Sequence, residues 1–323
     1  MPTLVIGGTG VIGHFLTRQL AQAKERPVVI TFSGNTDLIA DVLDQVIVVQ
    51  ADISDATLIS DIVEHYSIDR IANLGANTGV ESNPARSARV YVEGFVNVME
   101  AARVHQVRRV VFTSTKGVYG PVTGVYGHPT YRALTEDMSC APATIRGAYK
   151  LAAERIGKIY RDRHGIEFAS LRFSSTVGPA KTQRHDDTSV HSKMIENAML
   201  ACPAVIPNGG DAVTDIIYND DAAKGIRLAL DTAVLNETVY NIGSGQGFTL
   251  NEFGAAVRHW YPDAEFEIGP GTQYLNPETT GHCILSPDRA FRDLGFDVSY
   301  DLPGIVKAYV GMMKTLGIPP IRT

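Results

Sequence analysis

The chain opens with a short β-branched apolar run, TLVIG (3–7), that stops at the glycine-rich stretch GGTGVIG (7–13). A strand that must turn at once into a helix needs positive φ and no Cβ where the chain doubles back. Gly7, Gly10 and Gly13 supply both. Such a turn aims backbone N–H groups and the partial positive charge of a helix N-terminus at one spot, which suits a pyrophosphate. A lone glycine motif says little. This one comes after a strand and opens an amphipathic stretch from Val11 to Lys24, the context that a dinucleotide-binding βαβ unit requires. Val11 and Ile12, inside the turn, join the three glycines as expected cofactor contacts.

The first half continues in the same rhythm. PVVITF (27–32), QVIVVQAD (45–52), RIANLGA (70–76), RRVVFTST (108–115) and EFASLRF (167–173) read as strands. Helical patterns lie between them, over about 55–66, 84–105 and 147–164. The strands are almost continuously apolar rather than alternating, as in a parallel sheet buried on both faces. Strand–helix alternation at this spacing predicts right-handed βαβ crossovers. The fold class expected is therefore α/β: a Rossmann-type, doubly wound parallel sheet with a smaller C-terminal α/β substrate lobe. The large domain would span 1–174. Residues 175–323 would form mainly the substrate lobe, with some segments returning to the large domain. Residues 117–144, rich in Gly, Pro, Tyr and Thr, read as a long binding loop.

Composition closes off other classes. A formal net charge of -6 and the lack of a basic run argue against nucleic acid or an anionic membrane as partner. No apolar run reaches the roughly 18 residues of a membrane span, and the N-terminus lacks the basic start of a signal peptide. Cys140, Cys202 and Cys283 are scattered, with no CxxC, so neither disulfides nor a zinc site is expected. The cytoplasm is the simplest compartment. The cluster His185, Asp186, Asp187 and His191 matches no defined metal-site spacing, so no metal is expected.

The spacing GxxGxxG, together with a series of segments further along the chain, resembles the extended short-chain dehydrogenase/reductase family in its epimerase/dehydratase branch. TSTKGVYG (113–120), KLAAE (150–154), LRFSSTVGP (171–179), TDIIYNDDAAKGI (214–226), YNIGSGQGFTLNEF (240–253) and PDRAFRDLGF (287–296) match it in order over essentially the whole chain. The resemblance implies an NAD(P)-dependent oxidoreductase or epimerase, a small-molecule substrate, and a homodimer formed through the helices at about 84–105 and 147–164. Asp52 and Ile53 would meet the adenine, and Leu74 and Ala76 would complete the cofactor contacts. An acidic residue at the end of strand two usually favours NAD. Here Phe32 or Ser33 stands there, and Ser33 and Asn35 could bind a 2′-phosphate. The cofactor is read as NAD or NADP, with a slight lean to NADP.

In this family a tyrosine four residues before a lysine passes the proton while hydride moves, and a strand-end hydroxyl polarises the carbonyl. Thr115 matches the hydroxyl and Lys150 the lysine, which also binds the nicotinamide ribose. Arg146 stands where the tyrosine is expected. Arg146 could clamp a carbonyl or carboxylate electrostatically. Another phenol could substitute: Tyr149, about 100° around the helix from Lys150, or Tyr119, Tyr126 or Tyr131. Alternatively, the chain is a regulatory or structural dinucleotide module without redox turnover, or a non-redox isomerase or lyase.

Relatives that hold a nucleotide-sugar diphosphate use arginines. Thr214 occupies one such place, and GPGTQYLNPE (269–278) lacks the other. A sugar acid or hydroxy acid is thus a better expectation than a nucleotide sugar, with Asn77, Thr78, Arg146, Ser175, Thr176, Lys181 and His191 lining the pocket.

Overall fold

The computed structural model describes residues 2–76, 80–184, 189–275 and 282–323. The first half supplies β1 (Thr3–Ile6), α1 (Gly13–Gln22), β2 (Val28–Thr31), β3 (Ile47–Gln50), α2 (Ala56–His65) and β4 (Arg70–Asn73). Then come α3 (Pro84–Ala88), α4 (Gly94–Val104), β5 (Arg109–Thr115), α5 (Ile145–His164) and β6 (Glu167–Phe173). The second half begins with β7 (Ser175–Val177), α6 (Lys181–Arg184), α7 (Val190–Met199), β8 (Ala204–Ile206) and β9 (Ile216–Tyr218). It ends with α8 (Asn219–Asp231), β10 (Val239–Ile242), α9 (Leu250–Trp260), β11 (Phe266–Ile268), α10 (Asp288–Leu294) and α11 (Leu302–Leu316).

Seven parallel strands form the central sheet in the order β10-β6-β5-β4-β1-β2-β3. This is the doubly wound parallel sheet that the strand–helix rhythm predicts. One apolar layer joins α1, α8 and α11 to the sheet through Leu16, Leu20, Ile226 and Tyr309. The other packs α2, α4 and α5 on the opposite face through Ile62, Val98, Met99 and Ala153. Strands covered on both sides have no solvent face, which is why β1, β2 and β4 lack alternation. β6 matches its predicted run, but the others are shorter: β2 ends at Thr31 and β4 at Asn73, because the residues beyond leave the ladder to line the C-terminal edge. The segment 84–105 is also not one regular helix. A π turn over Arg89–Glu93 separates α3 from α4, a device often found next to functional sites.

The chain after residue 174 does not stay in one lobe. β10 pairs with β6, from Val239↔Ser170 to Ile242↔Phe173, and α8 lies against α1 and the sheet. Two small parallel ladders, β7–β9 and β8–β11, build the structure above the C-terminal edge. In an open α/β sheet this edge is where ligands bind.

Candidate active site

The turn after β1 is closed in a way only glycine permits. Gly7 has φ +77°, and a Cβ on Gly13 would lie 2.1 Å from the Gly7 carbonyl oxygen. One on Gly10 would lie 3.0 Å from the same atom, and one on Gly7 would meet Leu74 O at 3.1 Å. The N-terminus of α1 therefore rests directly on the strand end, with Val11, Ile12 and Leu74 around it. This bare cradle fits a dinucleotide pyrophosphate.

Around the cradle, Asp52 accepts hydrogen bonds from the Ser54 amide (2.9 Å) and hydroxyl (2.8 Å). Ile53 is buried beneath Gly75 and Gly94, where added Cβ atoms would touch it at 3.1 and 2.6 Å. Ala76 is exposed at the edge. Beyond β2, the Asn35 amide donates to Ser33 Oγ (3.2 Å), and the Asn35 side chain donates to Asp37 Oδ2 (2.9 Å). Asp37 thus brings a carboxylate to this rim, further along the chain than Phe32 and Ser33, where a strand-end rule does not look. Two cations stand nearby. Arg184 donates to Thr9 O (2.8 Å), and the Arg86 guanidinium lies 5.8 Å from the exposed Phe32 ring.

The start of α5 is fixed from two sides. Thr144 caps it, accepting from the Gly147 amide (3.0 Å), and Glu81 accepts from the amides of Ile145 (3.3 Å) and Arg146 (3.2 Å). A Cβ on Gly147 would sit 2.8 Å from Gly117 O. This close approach sets α5 against the tight turn after Thr115, whose hydroxyl accepts from the Gly117 amide (3.1 Å). Thr115, Arg146 and Lys150 are thereby gathered at one strand end.

Lys150 is buried. Its Nζ donates to Thr113 O and lies 4.4 Å from the Phe112 ring centre and 5.0 Å from that of Tyr91. Burial first, and then the Arg146 charge, bring its pKa down to about 7 against the pull of Glu154. Glu154 is itself committed elsewhere. It pairs with buried Arg172 (2.7 Å) and accepts from Ser114 Oγ (2.5 Å).

The phenols fall in different places. Tyr149 OH donates to Pro84 O (3.2 Å), and its ring stacks on Tyr91. Tyr119 lies under Arg172, and its hydroxyl donates to Asn241 (2.7 Å); burial pushes its pKa up to about 12. Tyr126 sits beside Arg132 on the long loop, and Tyr131 is buried with φ +48°. Asn77, Thr78, His185, Asp186 and Asp187 lie outside the described residues. No group of metal-ligating side chains occurs among the described residues.

The second half contributes a cluster of basic and hydroxyl groups. Ser175 Oγ accepts from Lys116 Nζ (3.0 Å), Lys181 Nζ donates to Thr176 O, and His191 is buried on α7. The sequence reading does not place Lys116, Tyr274 and His282 here, and it takes Thr214 only as a missing arginine. Lys116 stands directly after Thr115 inside TSTKGVYG, a signal open to inspection. The other three come from distant loops, and only the fold brings them in.

A glycine cradle at the C-terminal edge of a doubly wound sheet, with a strand-end hydroxyl beside a helix lysine, defines a dinucleotide-dependent enzyme of the short-chain dehydrogenase type. Residues 3–243 match the model of the NAD dependent epimerase/dehydratase family, and the chain belongs to that family. A putative UDP-glucose 4-epimerase of Methanocaldococcus jannaschii is 30% identical over 318 residues, covering 96% of this chain and 98% of that protein. UDP-glucose 4-epimerase of Mycolicibacterium smegmatis is 29% identical over 264 residues, 80% of this chain and 82% of that one. Among solved structures, the Thermus thermophilus UDP-glucose 4-epimerase complex with NAD superposes with a TM-score of 0.81 at 24% identity, covering 97% and 99% of the two chains. An L-threonine dehydrogenase of Cupriavidus necator gives 0.82 at 21%, covering 96% and 99%. These two structures share the fold while acting on different substrates, so the fold does not choose a substrate.

Proposed function

We propose that this enzyme oxidises, reduces or epimerises a small hydroxyl- or keto-bearing acid, a sugar acid or hydroxy acid rather than a nucleotide sugar, and uses NAD. The observation that carries the reading is Arg146. It stands four residues before Lys150, where the family's tyrosine belongs, on a helix start pinned beside Thr115. The bound dinucleotide supplies the hydride acceptor or donor at its nicotinamide. Thr115 Oγ1 holds the substrate oxygen by a hydrogen bond. The Arg146 guanidinium, always charged, stabilises negative charge developing on that oxygen or on a neighbouring carboxylate. Lys150 orients the nicotinamide ribose, and Gly7, Gly10 and Gly13 let the pyrophosphate approach the backbone. Tyr149, bonded to Pro84 O, supports the helix rather than the proton transfer.

Asp37 favours NAD over the slight lean to NADP, because its carboxylate would repel a 2′-phosphate on the same rim. The Thermus relative's bound NAD agrees with that choice. The relatives named as UDP-sugar epimerases mark the rival substrate class. Against it stand Thr214 and the arginine-free stretch 269–275, where diphosphate-binding arginines would be expected. A homodimer through α3, α4 and α5 completes the proposal, with Ile159 and Val104 exposed on that face.

The test is a titration with NADH and NADPH, followed by a turnover screen of hydroxy acids, sugar acids and UDP-glucose. Tighter NADH binding and turnover of an acid, reduced by Arg146→Ala, support the reading. Turnover of UDP-glucose alone overturns the substrate class. Unchanged turnover in Arg146→Ala overturns the role of Arg146.

A further inference from the structure

Beside Thr115 stand basic groups that have no ion pair among the described residues. Lys116 Nζ donates to two hydroxyls, Ser175 Oγ (3.0 Å) and Thr214 Oγ1 (2.8 Å), which are 3.3 Å apart. Lys181 is half-buried and donates to a backbone carbonyl, and neither lysine has an ion pair among the described residues. The carboxylate that faces Lys116 is Asp215, which is otherwise engaged. Its Oδ1 accepts from the Ser244 amide (2.9 Å) and hydroxyl (2.7 Å), and its Oδ2 from the Leu285 amide (3.3 Å). Burial raises the Asp215 pKa, which further weakens it as a counter-ion.

Two imidazoles close the far side. His191 and His282 flank the Tyr274 ring at 5.8 and 4.5 Å between centres, and the Tyr274 hydroxyl reaches Thr214. His191 is 6% exposed, and the Nε2 atoms of both histidines are buried without a hydrogen-bond partner among the described residues. Burial, the nearby lysines and, for His191, His282 hold both rings neutral, with pKa values of about 3. A neutral imidazole in its Nε2–H tautomer donates a hydrogen bond from that atom without added charge. Half-buried ammonium groups without a counter-ion and buried, unsatisfied ring nitrogens each cost stability unless something compensates them. An oxyanion placed among them would satisfy all four at once.

We infer that Lys116 and Lys181, closed by His191 and His282, form an oxyanion subsite that seats a carboxylate of the substrate, separate in role from Arg146 at the reacting oxygen. The inference rests on the proposed acid substrate and deepens it by assigning the grip to Lys116, next to the Thr115 hydroxyl. Carboxylate and phosphate share the chemistry of such a site. Carboxylate is the commitment because the proposed substrate is an acid, while two compact ammonium donors could hold either anion.

The experiment uses the full chain saturated with NAD, with tartrate, oxalate, inorganic phosphate and uncharged erythritol as probes in calorimetric titrations. NADH binding is measured on the same protein preparations. Tartrate or oxalate is expected to bind and erythritol not. Lys116→Met and Lys181→Met are each expected to weaken the dicarboxylate by about tenfold or more, as for one lost charge-assisted bond, while NADH binding stays intact. Intact NADH binding also shows that each variant has folded; should Lys116→Met fail it, Lys116→Gln replaces it. Dicarboxylate binding unchanged in both lysine variants, or absent in the parent chain with NADH binding intact, overturns the subsite. Phosphate binding tenfold tighter than tartrate overturns the carboxylate assignment. Loss of NADH binding in the parent chain defeats the proposed function instead.

Discussion

Lys150 gives the sharpest test of the site's electrostatics in the protein without cofactor. Its ammonium lies between the Phe112 and Tyr91 rings, with one carbonyl partner and a pKa brought from 10.5 to about 7. Below pH 7 both the folded and unfolded chains hold the proton, and folding must bury a charge. Between about 7 and 10.5 the unfolded chain still binds the proton and the folded one does not, so stability rises with pH. Taking the two pKa values, the gain from pH 6 to pH 9 is about 2–3 kcal/mol from this group. Lys150→Met removes it, since an unbranched thioether of similar length fits between the rings. Urea titrations of both proteins at pH 6 and pH 9 read the difference. Lys181 and the buried tyrosines titrate in both proteins and cancel. The variant should be more stable than the parent at pH 6, and the parent should recover about 2–3 kcal/mol on it by pH 9. Parallel responses, within about 0.5 kcal/mol, would show that Lys150 is not held near neutrality. Burial and the Arg146 charge would then not govern its proton.

Gly13→Ala drives a Cβ into the Gly7 carbonyl, 2.1 Å away, and should cost about 3 kcal/mol while abolishing NADH binding, read by thermal melting and fluorescence. Glu154→Leu leaves Arg172 buried without its carboxylate partner and should destabilise by about 3–5 kcal/mol in urea titrations, far more than an exposed pair such as Arg103–Glu100. Burial, with the charges of Lys116 and Arg146, brings Lys181 down to about 8, so KM for an acid substrate should climb above pH 8 as the ammonium is lost, by up to about tenfold per unit. A flat KM between about pH 7 and 9.5 would exclude Lys181 from the anion grip. Asp37→Asn should improve NADPH binding relative to NADH by about threefold to tenfold, an exposed charge being worth no more; equal ratios in fluorescence titrations would remove Asp37 from the cofactor rim.

The alternation of strands and helices, and with it the parallel sheet, was legible because the signals for it are local. β1 stops at glycine, β5 and β6 are unbroken apolar runs, and the capped helices fall between them. The candidate site was readable in part for the same reason, since Thr115, Arg146 and Lys150 stand on elements whose ends the sequence marks. What stayed hidden depends on long-range meeting. Asp37 meets the Asn35 side chain beyond the end of β2, on a 3₁₀ stretch that no strand-end rule covers. His282 and Tyr274 join His191 only because loops far apart in sequence close over one pocket. The π turn at 89–93 also escaped, because its residues keep a helical pattern while one turn widens.

The buried arginines and the lysines at the C-terminal edge of the sheet differ, and the contrast argues for function. Arg18 pairs with Asp41, Arg70 with Glu25 and Asp231, Arg109 with Glu167, and Arg172 with Glu154, at 2.5–2.7 Å. These arginines brace helices and strand ends away from the pocket, and each carries its own counter-charge. Lys116, Lys150 and Lys181 stand at the C-terminal edge of the sheet, and the hydrogen bonds they donate go to hydroxyls and carbonyls. The buried arginines are each neutralised in this way, whereas these three lysines have no ion pair among the described residues. The cost is borne where a bound cofactor and an anionic substrate would remove it, so ligand binding and folding stability should be coupled through these three side chains.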